Sequence, residues 1–177
     1  MRSLDDFVPY LLNRAGARIA RAFSHDLRPF GVTLPMWRVL AALRERDGAT
    51  MGALSETTAI EVSTLTRVAD AMERLGLARR VRPAGDTRFV TLKATPAGRR
   101  LTARIVPLAD RYERVALAGL DAVEAETLRG LLRRVHANMD ALDRSTRDAA
   151  AGDRRPTGSR RTSPGTIRPR PSPAPRP

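Results

Sequence analysis

From Leu4 the apolar positions recur at steps of three and four, through Leu4, Phe7, Val8, Leu11, Leu12, Ala15, Ile19, Ala22, Phe23 and Leu27. This period predicts one long amphipathic helix, stopped by Pro29 and Gly31. Thr33 suits the N-cap of a second helix with Pro35 in its first turn, carrying Trp37, Val39, Leu40 and Leu43 and ending at Gly48. Thr50 caps a short third helix running through Leu54 to about Thr58. A fourth spans Val62 to Leu75 and is closed by Gly76.

The period then shortens. Ala78 to Arg82 and Arg88 to Lys93 alternate, separated by Pro83-Ala84-Gly85-Asp86-Thr87, which predicts a β-hairpin. Thr95-Pro96 opens a fifth helix holding Leu101, Ile105, Leu108, Tyr112, Val115 and Leu120, with a bend expected at Pro107. Asp121 starts a last helix with Leu128, Leu131, Leu132, Val135, Met139 and Leu142. From Ser145 the chain holds seven of its thirteen prolines and few large apolar residues, which predicts a disordered, partly polyproline-like tail. The predicted fold class is mainly α with a small β-hairpin wing. Residues 33–95 form a winged helix-turn-helix, residues 1–32 and 96–144 a helical dimerisation domain, and residues 145–177 an Arg/Pro-rich tail.

Composition agrees with packed helices, because apolar residues make up 42% of the chain and aromatic ones only 4%. No apolar run approaches the length of a membrane span and no secretory leader is evident, so a cytoplasmic, nucleoid-associated protein is predicted, without a membrane partner. The absence of cysteine excludes disulfides, thiolate metal sites and thiol redox sensing. The net charge is +13; residues 145–177 supply +6 of it, eight Arg against two Asp, and residues 1–144 the other +7. A folded domain with that excess points to a polyanion, and double-stranded DNA is the commonest. Of the 32 basic residues only Lys93 is Lys; biased coding composition explains that without a functional reason.

Two short helices joined by a tight turn, with a hairpin directly after, form a DNA-reading unit. On a helical wheel Val62, Leu65, Val68, Ala69 and Met72 share the packing face of the fourth helix, while Ser63, Arg67, Asp70 and Arg74 line the opposite face, flanked by Thr64 and Thr66. Ser and Thr hydroxyls donate to or accept from several bases, and Arg binds guanine bidentately. Asp70 is expected to pair with Arg67 or Arg74 and aim them. Between Arg79 and Arg100 stand seven cations, Arg82 and Arg88 among them, against one acid, Asp86; such a hairpin repels itself unless an anion lies alongside. Arg88 near the tip suits a narrow minor groove, with Asp86 bracing its guanidinium. The hydroxyls of Thr50 and Ser55 suit either phosphate contact or helix capping.

At this point a resemblance becomes specific. Leu34-Pro35-Met36-Trp37-Arg38-Val39-Leu40, Ser63-Thr64-Leu65-Thr66-Arg67, Leu75-Gly76-Leu77, Asp86-Thr87-Arg88 and Thr95-Pro96-Ala97-Gly98 follow one another as in the MarR family of bacterial regulators, which the chain resembles over about residues 4–142. The resemblance implies a triangular homodimer with the first, fifth and sixth helices interleaved, two recognition helices in successive major grooves, and a palindromic operator. It also implies an effector pocket between the dimerisation and DNA-binding parts, for which small aromatic carboxylates are common ligands. The chain departs from the family pattern at Ala94, where a larger aliphatic residue is usual, and in its long tail.

A carboxylate wants a guanidinium and an apolar wall, and Arg14, Arg18, His25, Trp37 and Arg38 lie on the first two helices where that pocket belongs. Each is also accounted for as core or surface. The only histidines, His25 and His136, form no metal-ligand pattern, and neither metal nor cofactor is predicted. No nucleophile–base pair, carboxylate pair or phosphate-cradling glycine loop is present, which argues against an enzyme. The expected function is sequence-specific transcriptional regulation, with repression foremost; the alternative is a nucleoid-type architectural DNA coater. The apolar stripes at Leu4–Leu27 and Leu128–Leu142 exceed what a small monomer covers, and predict an interface larger than the ~1,600 Å² of a standard complex.

Overall fold

The computed structural model describes residues 3–82 and 90–152. Residues up to Leu120 form one compact unit and a second begins at Asp121. The first contains helices α1 (Val8–Leu27), α2 (Leu34–Glu45), α3 (Met51–Thr58), α4 (Val62–Arg74) and α5 (Pro96–Ala116). It also holds strands β1 (Ala49–Thr50), β2 (Ala78–Val81) and β3 (Thr91–Ala94). The second holds α6 (Ala122–Gly152). The fold class is the one read from the sequence: mainly helical, with a small β-hairpin after the fourth helix.

Hydroxyls start the helices where the sequence places them. The N–H of Met36 donates to Thr33 Oγ1 at 3.4 Å, that of Ala53 to Thr50 Oγ1 at 3.2 Å, and that of Gly98 to Thr95 Oγ1 at 3.0 Å. At α6 the N–H groups of Val123 and Glu124 both donate to Asp121 Oδ1 at 2.8 Å, and Glu124 Oε2 accepts from the Asp121 N–H at 2.9 Å, a reciprocal cap.

Several boundaries differ from the periodic reading. Leu4–Asp6 is a 3-10 turn and α1 starts at Val8, because Pro9 has no N–H to donate and fits only a first helical turn. α2 stops at Glu45, short of Gly48. α5 runs unbroken through Pro107 but ends at Ala116, so Leu120 lies past it, beyond Gly119 at φ +90°. The helix at Asp121 continues past Ser145, where the tail was expected to begin, to Gly152. The Ser145 and Thr146 hydroxyls donate to the Leu142 carbonyl at 2.8 and 2.9 Å, and three alanines follow, the best helix formers. The rest of the predicted tail lies outside the described residues.

A third strand, unforeseen in the sequence, joins the hairpin. The order is β1-β3-β2, all antiparallel, with Ala49 opposite Leu92 and Ala78 opposite Ala94. One buried cluster ties Phe23 and Leu27 of α1 to Leu40 and Leu43 of α2, Leu65 and Met72 of α4, Leu92 of β3 and Ile105 of α5. Phe23 meets Trp37 and Tyr112 edge to face, at 5.9 and 5.1 Å between ring centres.

The Thr95-Pro96-Ala97-Gly98 run has a physical reason. The Thr95 hydroxyl donates to the Gly76 carbonyl at 2.6 Å and its N–H to the Leu77 carbonyl at 3.0 Å, clamping the start of α5 to the turn that leaves α4. At Gly98 a Cβ would stand 2.0 Å from the Leu77 carbonyl oxygen, so only glycine admits this approach.

Candidate nucleic-acid interface

In α4, Leu65, Ala69 and Met72 are buried, whereas Ser63, Thr64, Thr66, Arg67, Asp70 and Arg74 are exposed. The helix thus presents the face the wheel assigned to DNA. Val62, placed on the packing side in the sequence reading, is 49% exposed. Among the described residues neither Arg67 nor Arg74 engages an acid, so both guanidinium groups are open to an anion. The Thr66 hydroxyl donates to the Val62 carbonyl at 2.9 Å, leaving it to act toward a base as an acceptor.

Asp70 pairs with neither Arg67 nor Arg74. Its Oδ1 lies 2.7 Å from Arg80 Nη1, on β2. The same guanidinium bonds to Glu73 Oε2, its Nη2 donates to the Thr66 carbonyl at 3.3 Å, and the Arg80 N–H donates to Glu73 Oε1 at 2.6 Å. Partial burial opposes the charge on Arg80, but the hydrogen bonds from Asp70 and Glu73 outweigh it and hold its pKa above the ordinary guanidinium value. Arg80 therefore fastens the wing strand to the recognition helix. Sequence reasoning counted it only as one cation of the hairpin; its spacing of seven from Glu73 carries no helical signal, since Gly76, at φ +68°, turns the chain between them.

In the wing, Arg79 and Lys93 stand directly opposite each other across β2 and β3. Like charges in that register repel, which favours a bound anion. Arg82 is exposed just beyond β2. Asp86 and Arg88 lie outside the described residues.

The turn between α3 and α4 contains no glycine. Ala59 takes a left-handed conformation at φ +52°, held by the Ser55 hydroxyl donating to the Ile60 carbonyl at 2.7 Å and by the Ile60 N–H returning to Ser55 at 3.3 Å. Thr50 and Ser55 thus serve the backbone, as cap and turn clip.

The five effector candidates are not drawn into one pocket. Arg14 forms an ion pair with Asp5 at 3.0 Å and stacks over Tyr10, and Arg18 is exposed on the same helix. His25 Nδ1 lies 3.0 Å from Asp26 Oδ1. Trp37 and Arg38 share a shallow cleft with Ala41, Glu45 and Thr58. A deeper cleft of about 370 Å³ opens between α2, β3 and α5, with Leu40 and Leu43 in its wall and Arg44, Asp47 and Arg99 among its polar lining. These residues are scattered through the sequence and no local motif joins them. Among the described residues no group of three or more His, Asp or Glu is placed to hold a metal, and no helix is long and apolar enough to cross a membrane.

A helix-turn-helix followed by a basic wing, with an exposed hydroxyl and guanidinium face on its second helix, defines a winged-helix DNA-binding protein. The model of the MarR family matches residues 30–88. The chain is similar to the transcriptional regulator HosA of Escherichia coli, 30% identical over 104 residues that cover 59% of this chain and 77% of HosA. It is also similar to the HTH-type transcriptional repressor IacR of Pseudomonas putida, 24% identical over 138 residues, 78% of this chain and 83% of IacR. Among solved structures it is similar to BpsR of Bordetella bronchiseptica, whose DNA binding is regulated by 6-hydroxynicotinic acid. That match has a TM-score of 0.66 and 28% identity, covering 72% of this chain and 97% of BpsR. The chain belongs to the MarR family of DNA-binding transcriptional regulators.

Proposed function

We propose that the protein is a homodimeric repressor of a palindromic operator, reading each half-site with α4 and its wing. One observation carries this: the exposed face of α4, with Arg67 and Arg74 unpaired among the described residues, lies beside a basic wing that Arg80 ties to the same helix. In this reading Ser63, Thr64, Thr66 and Arg67 reach base edges, Arg74 and Arg82 bind phosphate, and Arg88, braced by Asp86, enters the minor groove.

Dimerisation is assigned to residues 1–32 and 96–144. In its support, α1 exposes Val8, Leu11, Leu12 and Ile19, and α6 exposes Leu131, Leu132, Met139 and Leu142, apolar surfaces of the kind a second copy covers. Release by a small aromatic carboxylate completes the proposal; the regulation of BpsR by 6-hydroxynicotinic acid supports that class of ligand.

The test is selection of bound duplexes from random DNA, followed by competition with a scrambled duplex at physiological salt. Enrichment of an inverted repeat that outlasts the competitor is the expected result. Binding that follows total DNA regardless of sequence would favour the architectural alternative.

A further inference from the structure

We propose that the outward face of α1 is a second nucleic-acid surface, which takes a segment of double-stranded DNA other than the one read by α4. It stands apart from the operator-reading face and does not depend on a palindromic operator.

Arg14, Arg18 and Arg21 follow one another at steps of four and three. The next such steps reach His25 and then Arg28, the first residue of a 3-10 turn that ends at Phe30. All five are exposed. At about 3.6 residues per turn they share one side of the helix, and Phe23 and Leu27, which α1 buries in the core, lie almost opposite. The exposed apolar residues Val8, Leu12 and Ile19 stand about a third of a turn from the cations. A second copy seated on those apolar residues does not need the side that carries the arginines.

Few acids answer these charges. Asp26 is the one acid of α1; it accepts from the Tyr112 hydroxyl at 3.0 Å and lies 3.0 Å from His25 Nδ1. Asp5 holds Arg14 at 3.0 Å. Arg18, Arg21 and Arg28 engage no acid among the described residues. Like charges three and four residues apart on a helix repel, and a bound polyanion relieves that repulsion. Two cations of α5 border the same end of the stripe. Arg104 stacks over the Phe30 ring at 5.6 Å. The Asp26 carboxyl, lowered first by its hydrogen bonds to His25 and Tyr112, is lowered further by the charge of Arg111.

The shape of the stripe selects the polyanion. At about 1.5 Å per residue, Arg14 to Arg28 spans about 21 Å, the axial rise of about six base pairs at about 3.4 Å each. A straight row of guanidinium groups of that length complements the phosphates of a duplex. An acidic membrane would instead take up an apolar helix face with cations at its border, and the proposed function gives that face to the second copy. Both α1 and α4 turn their apolar residues into one core, so the cations on the outer side of each form separate surfaces. A protein with both holds two segments of duplex at once.

The experiment uses the full chain, held on beads through a biotinylated selected duplex. The loaded beads should capture a short fluorescent duplex of scrambled sequence, less so as salt rises. Arg18→Gln combined with Arg21→Gln should lower that capture by roughly tenfold or more and reduce its slope against log salt by about 1.8. Retention on the selected duplex, circular dichroism and sedimentation should stay as in the parent. Arg28→Gln, outside α1, should reduce the slope by about 0.9, and it decides the matter if the double variant does not fold.

Loaded parent protein that captures no scrambled duplex would overturn the surface. So would equal capture by parent and variants, which would place the contact elsewhere, residues 153–177 included. Capture of phosphatidylglycerol vesicles that the double variant loses, with no capture of duplex, would overturn DNA as the occupant. Parent protein that holds no selected duplex, yet in direct titration binds the scrambled one through Arg18 and Arg21, supports the surface and counts against the regulatory reading alone.

Discussion

Arg80 Nη1 lies 2.7 Å from Asp70 Oδ1, joining the wing strand β2 to the outward face of α4. On the exposed face that the proposed function gives to DNA, the pair neutralises the Asp70 carboxylate from the neighbouring element. Arg80→Gln should leave Asp70 and Glu73 without their cation, lowering duplex affinity by about 1–3 kcal/mol through repulsion and a loosened wing. Adding Asp70→Asn should recover part of that loss. A double-mutant cycle measured by duplex titration checks this; strict additivity of the two changes would show that the pair has no role in DNA binding.

Gly98 is tested by stability rather than binding. A methyl group there meets the Leu77 carbonyl oxygen, and α5 has to withdraw from the α4–β2 turn to admit it. Gly98→Ala should therefore destabilise the protein by about 1–3 kcal/mol although alanine favours helices. An unchanged urea midpoint would contradict the geometry.

The exposed apolar surface of α6 calls for a partner. Leu131→Glu combined with Leu142→Glu should shift the protein from dimer to monomer in analytical ultracentrifugation, with a parallel loss of operator affinity. Parent protein that sediments as a monomer at micromolar concentration would refute the homodimer.

Asp26 sets an expected acid limb. Hydrogen bonds from His25, at 3.0 Å, and from the Tyr112 hydroxyl, at 3.0 Å, hold its carboxyl below the ordinary value of 3.8. A carboxyl depressed in the folded state stabilises fully above its unfolded pKa and loses that contribution as pH falls through the folded one. Asp26→Asn should flatten the difference in stability between neutral pH and pH below 3.8. Acid titrations that superimpose for the two proteins would show that the link between α1 and α5 contributes nothing.

Residues 153–177 carry seven Arg against one Asp. Arginines that meet phosphate release counterions but read no sequence. Deleting this segment should lower affinity for operator and scrambled duplex by similar factors and flatten the salt dependence of both. A selective loss of operator binding would mean that the segment takes part in recognition.

Local chemistry made much of this protein legible in one dimension. Thr33, Thr50, Thr95 and Asp121 announce helix starts because a cap satisfies N–H groups only two or three residues away. The two faces of α4 follow from helical period alone, and Arg67 and Arg74 lie on the exposed one as that period requires. β1 was not legible, since two residues carry no alternation and Ala49–Thr50 becomes a strand only by pairing with Thr91 and Leu92. The partner of Asp70 was misread for a related reason. Helical spacing offered Arg67 and Arg74, but the turn at Gly76 lays β2 along α4 and brings Arg80 closer. The cleft of Arg44, Asp47, Ala94 and Arg99 was equally hidden, because residues from α2, β3 and α5 share a wall only after the core around Leu40 and Ile105 has closed. Sequence determined what depends on neighbours within one turn of helix. Tertiary structure decided which distant charges meet and where packing leaves a space.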